Sequence, residues 1–199
     1  MELRARRGRL NNMTRAFAAC CAIVIPLLGA AHADYVSARQ KFQAIEGERL
    51  KPGTRVSLTG RELSAYARQE VINVVPEGLR NTEVQLGNGT ATASALVDFA
   101  KLQRAQGKPP GWLMSRVLEG ERPVRVTAAI TSGGGRATID VQKVEISGIV
   151  IDGAVLDYLI SNYLFAVYPQ AKVGEPFNLG HRIERLEVLP SAVGIVIGR

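Results

Sequence analysis

The chain predicts an α+β fold: a curved antiparallel sheet of about six strands wrapped around a long apolar helix. Three observations lead there. Alternating apolar residues occur in three pairs of runs, each pair joined by turn-forming residues, as in successive β-hairpins. Helical spacing falls between the pairs and not after every strand, which excludes a parallel βαβ arrangement. Finally, Gly153 to Tyr168 is apolar almost all round, and a helix of that kind must be enclosed.

The first 33 residues stand apart. Arg4, Arg6, Arg7, Arg9 and Arg15 precede an apolar stretch from Ala16 to Ala31, and Ala31-His32-Ala33 closes it with small residues where a signal peptidase reads. This pattern predicts an export signal over 1–33, starting at Met1 or Met13 and cleaved before Asp34. The general secretory route and a periplasmic destination follow. Sixteen residues interrupted by Pro26 fall short of the ~20 a spanning helix requires, so no retained membrane span is expected, although contact with a membrane surface is compatible with the pattern.

Cleavage changes the bulk numbers. Five of the 25 Lys+Arg and one of the 18 Asp+Glu precede Asp34, so the formal charge falls from +7 to near +3. That balance is too mild for a surface that tracks phosphates, and no nucleic-acid partner is expected. Both cysteines, Cys20 and Cys21, leave with the signal, and with them any disulfide. Residues 34–199 are enough for a single exported domain with one core.

Along that domain, Asp34 to Leu50 reads as a helix ended by Lys51-Pro52-Gly53, and Arg55 to Leu58 as a short strand. Thr59 followed by Glu62 fits a capping box, in which each side chain satisfies the other residue's backbone N–H. The helix it opens carries Leu63, Tyr66, Ala67, Glu70, Val71 and Val74 and stops at Pro76 and Gly78. Thr82–Leu86 and Thr90–Asp98 form a hairpin about Asn88-Gly89. Phe99 to Glu119 is broken by Lys108-Pro109-Pro110-Gly111, with a short helix from Trp112 to Leu118. In the second hairpin Val124, Val126, Ala128 and Ile130 alternate, Gly133-Gly134-Gly135 turns, and Ala137, Ile139 and Val141 return. The alternation then slips to Val144 and Ile146, which predicts a bulge near Gln142-Lys143. Ile183–Leu189 and Val193–Ile197 make the third hairpin, turning at Pro190-Ser191.

Catalytic patterns are weak. His181 is the one histidine after cleavage and reads as a surface residue beside Arg182, so zinc and Cys–His chemistry have no ligands, and no cofactor is expected. No serine lies in a nucleophile elbow. Asp140, Asp152 and Asp157 could gather as a carboxylate pair, but spacing does not show it. The triple glycine lacks the Lys-Ser/Thr of a phosphate loop.

The remaining clue is the Gly153–Tyr168 segment. Each buried large apolar side chain contributes about 1.5–3 kcal/mol, so something must cover it. The cover is either the sheet and the Leu63/Tyr66 helix, or in part a lipid or other apolar ligand. In the latter case Leu156, Leu159, Ile160, Tyr163, Leu164 and Tyr168 line the ligand, with Leu63, Tyr66 and Trp112 at the rim.

Val56-Ser57-Leu58-Thr59-Gly60-Arg61-Glu62-Leu63 begins a layout of strand, Glu-Leu helix, curved hairpins, long apolar helix and final hairpin. Over residues 55 to 199 it resembles exported bacterial proteins of the YceB-like and tubular lipid-binding (BPI-like, TULIP) kind. Members often carry Asn after the Glu-Leu pair, where Ser64 stands here. The resemblance implies lipid binding or transport in the cell envelope. Two other readings stay open: a structural or adaptor module pairing with an envelope protein, and a hydrolase of envelope polymers.

Overall fold

The structure, a computed structural model, describes residues 30–74, 78–105, 120–160 and 173–199. The predicted signal up to residue 29 lies outside the described residues, as do Trp112 and its helix and everything from Ser161 to Lys172.

The architecture is α+β and antiparallel. Helix α1 (residues 30–46) leads to β1 (Arg55–Thr59) and α2 (Gly60–Val74). Then come β2 (Leu79–Leu86), β3 (Thr90–Asp98), the short α3 (Phe99–Ala105), β4 (Glu121–Gly133), β5 (Arg136–Ile146) and β6 (Ile149–Ile151). Helix α4 (Gly153–Leu159) follows, and β7 (Phe177–Asn178), β8 (Ile183–Val188) and β9 (Ala192–Ile197) complete the chain. Strands β2 to β6 run side by side in order, and β7 pairs with β5, giving a six-stranded sheet.

One expectation is corrected here. The third hairpin does not extend the large sheet; β8 and β9 join β1 in a separate three-stranded sheet of order β1-β9-β8. Val56 opposite Ile195 and Leu58 opposite Val193 supply the reason. They give β9 an apolar partner on its free side, and α1 covers the result through Ala38, Phe42 and Ile45.

The bulge in β5 is where the alternation slips. Thr127 pairs with Lys143 and Ala128 with Val141, leaving Gln142 as the extra residue. Because it absorbs one position, Val144 and Ile146 stay on the face shared by Ile139 and Val141. A second irregularity, between Arg80 and Glu83, does the same for β2. Asn81 there adopts a φ of 53°, and the strand continues back to Leu79 rather than starting at Thr82. The Asn88-Gly89 turn forms with Gly89 at φ 66° and Gly87 N–H donating to the Thr90 carbonyl.

Ser64 closes the free edge of β2. Its hydroxyl accepts from Val84 N–H (2.8 Å) and donates to the Gly60 carbonyl one turn back (2.7 Å), while Arg68 Nε donates to the Thr82 carbonyl (2.9 Å). An exposed strand edge is a template for unwanted pairing, and here α2 occupies it. Ser64→Ala leaves the Val84 N–H of β2 unpartnered. Its expected cost is about 2 kcal/mol in denaturant unfolding, and a loss below about 0.5 kcal/mol would show that water replaces the hydroxyl.

Candidate functional site

The register of the large sheet sorts its side chains into two faces, because directly opposed residues in an antiparallel pair point the same way. One face carries Glu83, Ser94, Arg125 and Glu145 in a line across four strands, with the Thr92 and Thr127 hydroxyls 3.0 Å apart nearby. Lys143 stands 2.8 Å from Glu145 and, with Arg125, holds that half-buried carboxyl below its usual range. An open hollow of about 410 Å³ lies over part of this line and is rimmed by charge.

The opposite face is apolar. It runs from Leu79, Val84 and Leu86 on β2 through Ala91, Ala93, Ala95 and Val97 on β3 to Val124, Val126, Ala128 and Ile130 on β4. Ile139, Val141, Val144 and Ile146 continue it on β5. Two bulges preserve this grouping across the whole sheet.

Among the described residues, elements cover the two ends of this face and none packs over its middle. At one end α3 packs Phe99 and Leu102 onto Val97 and Ile146. At the other, the Ser132 hydroxyl donates to the Leu186 carbonyl (2.9 Å) and accepts from Leu186 N–H (2.7 Å), docking β8 and the small sheet there. Between them Ala93 is exposed, and Val84, Ala91, Val126, Ala128 and Val141 are only half-buried. Alanine is a poor strand former. Three of them alternating on β3, flanked by Val84 and Leu86 on β2 and Val124 and Val126 on β4, leave a shallow furrow.

The sequence-predicted site residues divide in this structure. Leu63 and Tyr66 pack into the core of α1 and the small sheet, with the Tyr66 ring 4.4 Å from that of Phe42 and 6.2 Å from that of Tyr35. Leu156 and Ile160, on and just after α4, are half-buried and belong to neither core cluster among the described residues. Leu159 has its backbone in α4. Trp112, Tyr163, Leu164 and Tyr168 lie outside the described residues.

Sequence reasoning missed the middle of the sheet face and Arg122 at its end. Arg122 lies directly opposite Val97, and its Nε is buried without a hydrogen-bond partner. Its signal was present: Arg122 is the even-numbered position before Val124, Val126, Ala128 and Ile130. Asp140, Asp152 and Asp157 are each exposed, where water stabilises their charge, and His181 is exposed in the turn before β8.

Helix α2 begins at the Thr59–Glu62 capping box. Glu62 is buried, and its carboxylate accepts from Ser37 Oγ (2.6 Å), Lys41 Nζ (2.5 Å) and Thr59 N–H (2.8 Å). Burial pushes its pKa up. The hydrogen bonds from Lys41, Ser37 and Thr59 outweigh that and bring it down to about 2. Lys41 also donates to the Ser57 carbonyl (2.7 Å), so this cluster locks α1, β1 and α2 together. With every acceptor engaged, the site is structural.

Among the described residues no helix is long and apolar enough to cross a membrane. Compared with protein-family models, curated proteins and solved structures, the chain matches none.

Proposed function

We propose that this is an exported envelope protein that binds a lipid or other apolar ligand along the open middle of the apolar sheet face. One observation carries the reading: four strands hold a continuous apolar face, yet Ala93 and its neighbours at its centre remain accessible to solvent. From Val124 to Ile130 and across β2 to β5 the strip measures roughly 20 Å by 14 Å, on the order of 300 Å². Covering half of it would contribute about 4 kcal/mol before ordering costs. Monomeric proteins keep such patches small unless something uses them.

The finer reading, in which the sheet wraps a long apolar helix, belongs to this proposal. It is supported by α4 starting at Gly153 and by the apolar sequence that continues to Tyr168. The layout resemblance to tubular lipid-binding proteins and the signal-like N-terminus point the same way.

Ala93→Glu places a charge in the furrow at an exposed position. Displacement of a fluorescent fatty acid should weaken at least tenfold, with thermal stability nearly unchanged. Equal binding by this variant and the parent protein, or mass spectrometry showing no co-purifying lipid on the gently isolated protein, would remove the proposal.

A second reading has its own observation. Ile149 and Val150 on the short edge strand β6 are 66% and 53% exposed, and Val155 on α4 is 53% exposed. An apolar sheet edge of this kind suits strand addition by a protein partner. Ile149→Lys abolishing a pull-down while leaving lipid binding intact would favour it.

A further inference from the structure

The apolar face carries one ionisable residue among the described strand positions. Arg122 stands opposite Val97 at the α3 end, next to the cluster of Val97, Phe99, Leu102 and Ile146, with Leu79 and Val124 packed alongside. A guanidinium cannot shed its proton in a protein, so its buried Nε remains a donor in need of an acceptor. No acidic side chain shares this face among the described strand residues: Glu121 lies on the other face and is paired with Arg80. The arginine is half-buried as a whole although its Nε is fully buried, so part of the side chain stays open to solvent.

We infer that Arg122 receives the anionic head group of an acyl-chain ligand whose tail lies along the Ala91–Ala93–Val126 furrow. This inference rests on the proposed function and names its ligand class: a single-chain amphiphile bearing a carboxylate or phosphate. Two features fix the chemistry. The planar fork of arginine fits the paired oxygens of both groups. A small hydrophilic anion would gain nothing from Val97 opposite the arginine or from Val124 next to it on the same face, whereas the first carbons of an acyl chain would bury themselves there. Head-group binding at the α3 end also gives the ligand a direction, with its tail running toward the β8 end of the face.

The test compares oleate, oleyl alcohol and acetate on the full protein and on Arg122→Met and Arg122→Lys. The parent protein should bind oleate about tenfold tighter than oleyl alcohol, a preference Arg122→Lys partly retains and Arg122→Met reduces to about one. The melting temperature of Arg122→Met should hold or rise, because the variant removes a buried unpaired donor. Binding of neither lipid would sink the proposed function itself. Equal binding of the two by the parent protein, or an undiminished preference in Arg122→Met, would overturn only the role of Arg122. Displacement of oleate by equimolar acetate would mark a site for free anions and likewise overturn it, as would a clear loss of stability in Arg122→Met.

Discussion

Glu62→Ala is expected to lose about 4 kcal/mol of folding stability. The carboxylate is buried, sits at the junction of α1, β1 and α2, and accepts from Ser37, Lys41 and Thr59. Its removal strips the helix cap, a loss of about 1 kcal/mol, and leaves the Lys41 ammonium and the Ser37 hydroxyl without their acceptor. Glu62→Gln keeps the cap and one acceptor, so about half that loss is expected. The pH dependence has a definite sign. The folded pKa is about 2 against 4.5 for the unperturbed group, so the unfolded chain binds the proton more readily. Stability from this group is therefore fully present above about pH 4.5 and is lost as pH falls toward 2. The difference is worth about 3 kcal/mol. Urea unfolding of the parent protein and Glu62→Gln from pH 7 to pH 2 should show their gap narrowing over that window. A gap that stays constant would show that the carboxylate's charge is not what the fold uses.

Elements written in short stretches of sequence were readable, and those depending on distant pairing were not. Thr59 and Glu62 are three residues apart, Asn88 and Gly89 adjacent, and the slip that locates Gln142 is visible within β5 alone. Each signal is complete in its own neighbourhood. The pairing of β1 with β9 joins Arg55 to Val196, and no local pattern distinguishes that partner from the edge of the large sheet. Asn81 escaped for another reason: its left-handed backbone absorbs a residue where the alternation offers no second apolar run to reveal the slip. The candidate site follows the same division. Alternation named the apolar residues of β4 and β5, but which of them would be covered depends on where α3 and the small sheet dock. Ser64 illustrates the point. In sequence it marked a departure from the resembling layout; in the fold, its hydroxyl donates to the Gly60 carbonyl of α2 and accepts from the Val84 N–H of β2, joining the two elements.

Leu58→Ala should be the most damaging single change in the small sheet, at about 3–4 kcal/mol. Leu58 is 1% exposed, and it meets Ala38 and Ile45 of α1 together with Ile195 and Ile197 of β9. The cost depends on whether neighbours can close the cavity, and here they are held. β1 is registered to β9 over its whole length, and Lys41 ties α1 to the Ser57 carbonyl beside the lost side chain. Ile149→Ala, at a site 66% exposed, should stay within about 0.5 kcal/mol and serves as the control. Guanidinium unfolding at constant m-value would measure both. A Leu58→Ala loss under about 1 kcal/mol would mean that α1 slides to fill the gap. The consequence extends past stability, because β9 carries β8, and β8 docks on the large sheet through the Ser132–Leu186 bonds. Loosening the small sheet therefore loosens the wall at one end of the apolar face. Fatty-acid affinity in Leu58→Ala should accordingly fall faster on warming than in the parent protein, well below the temperature at which the variant unfolds.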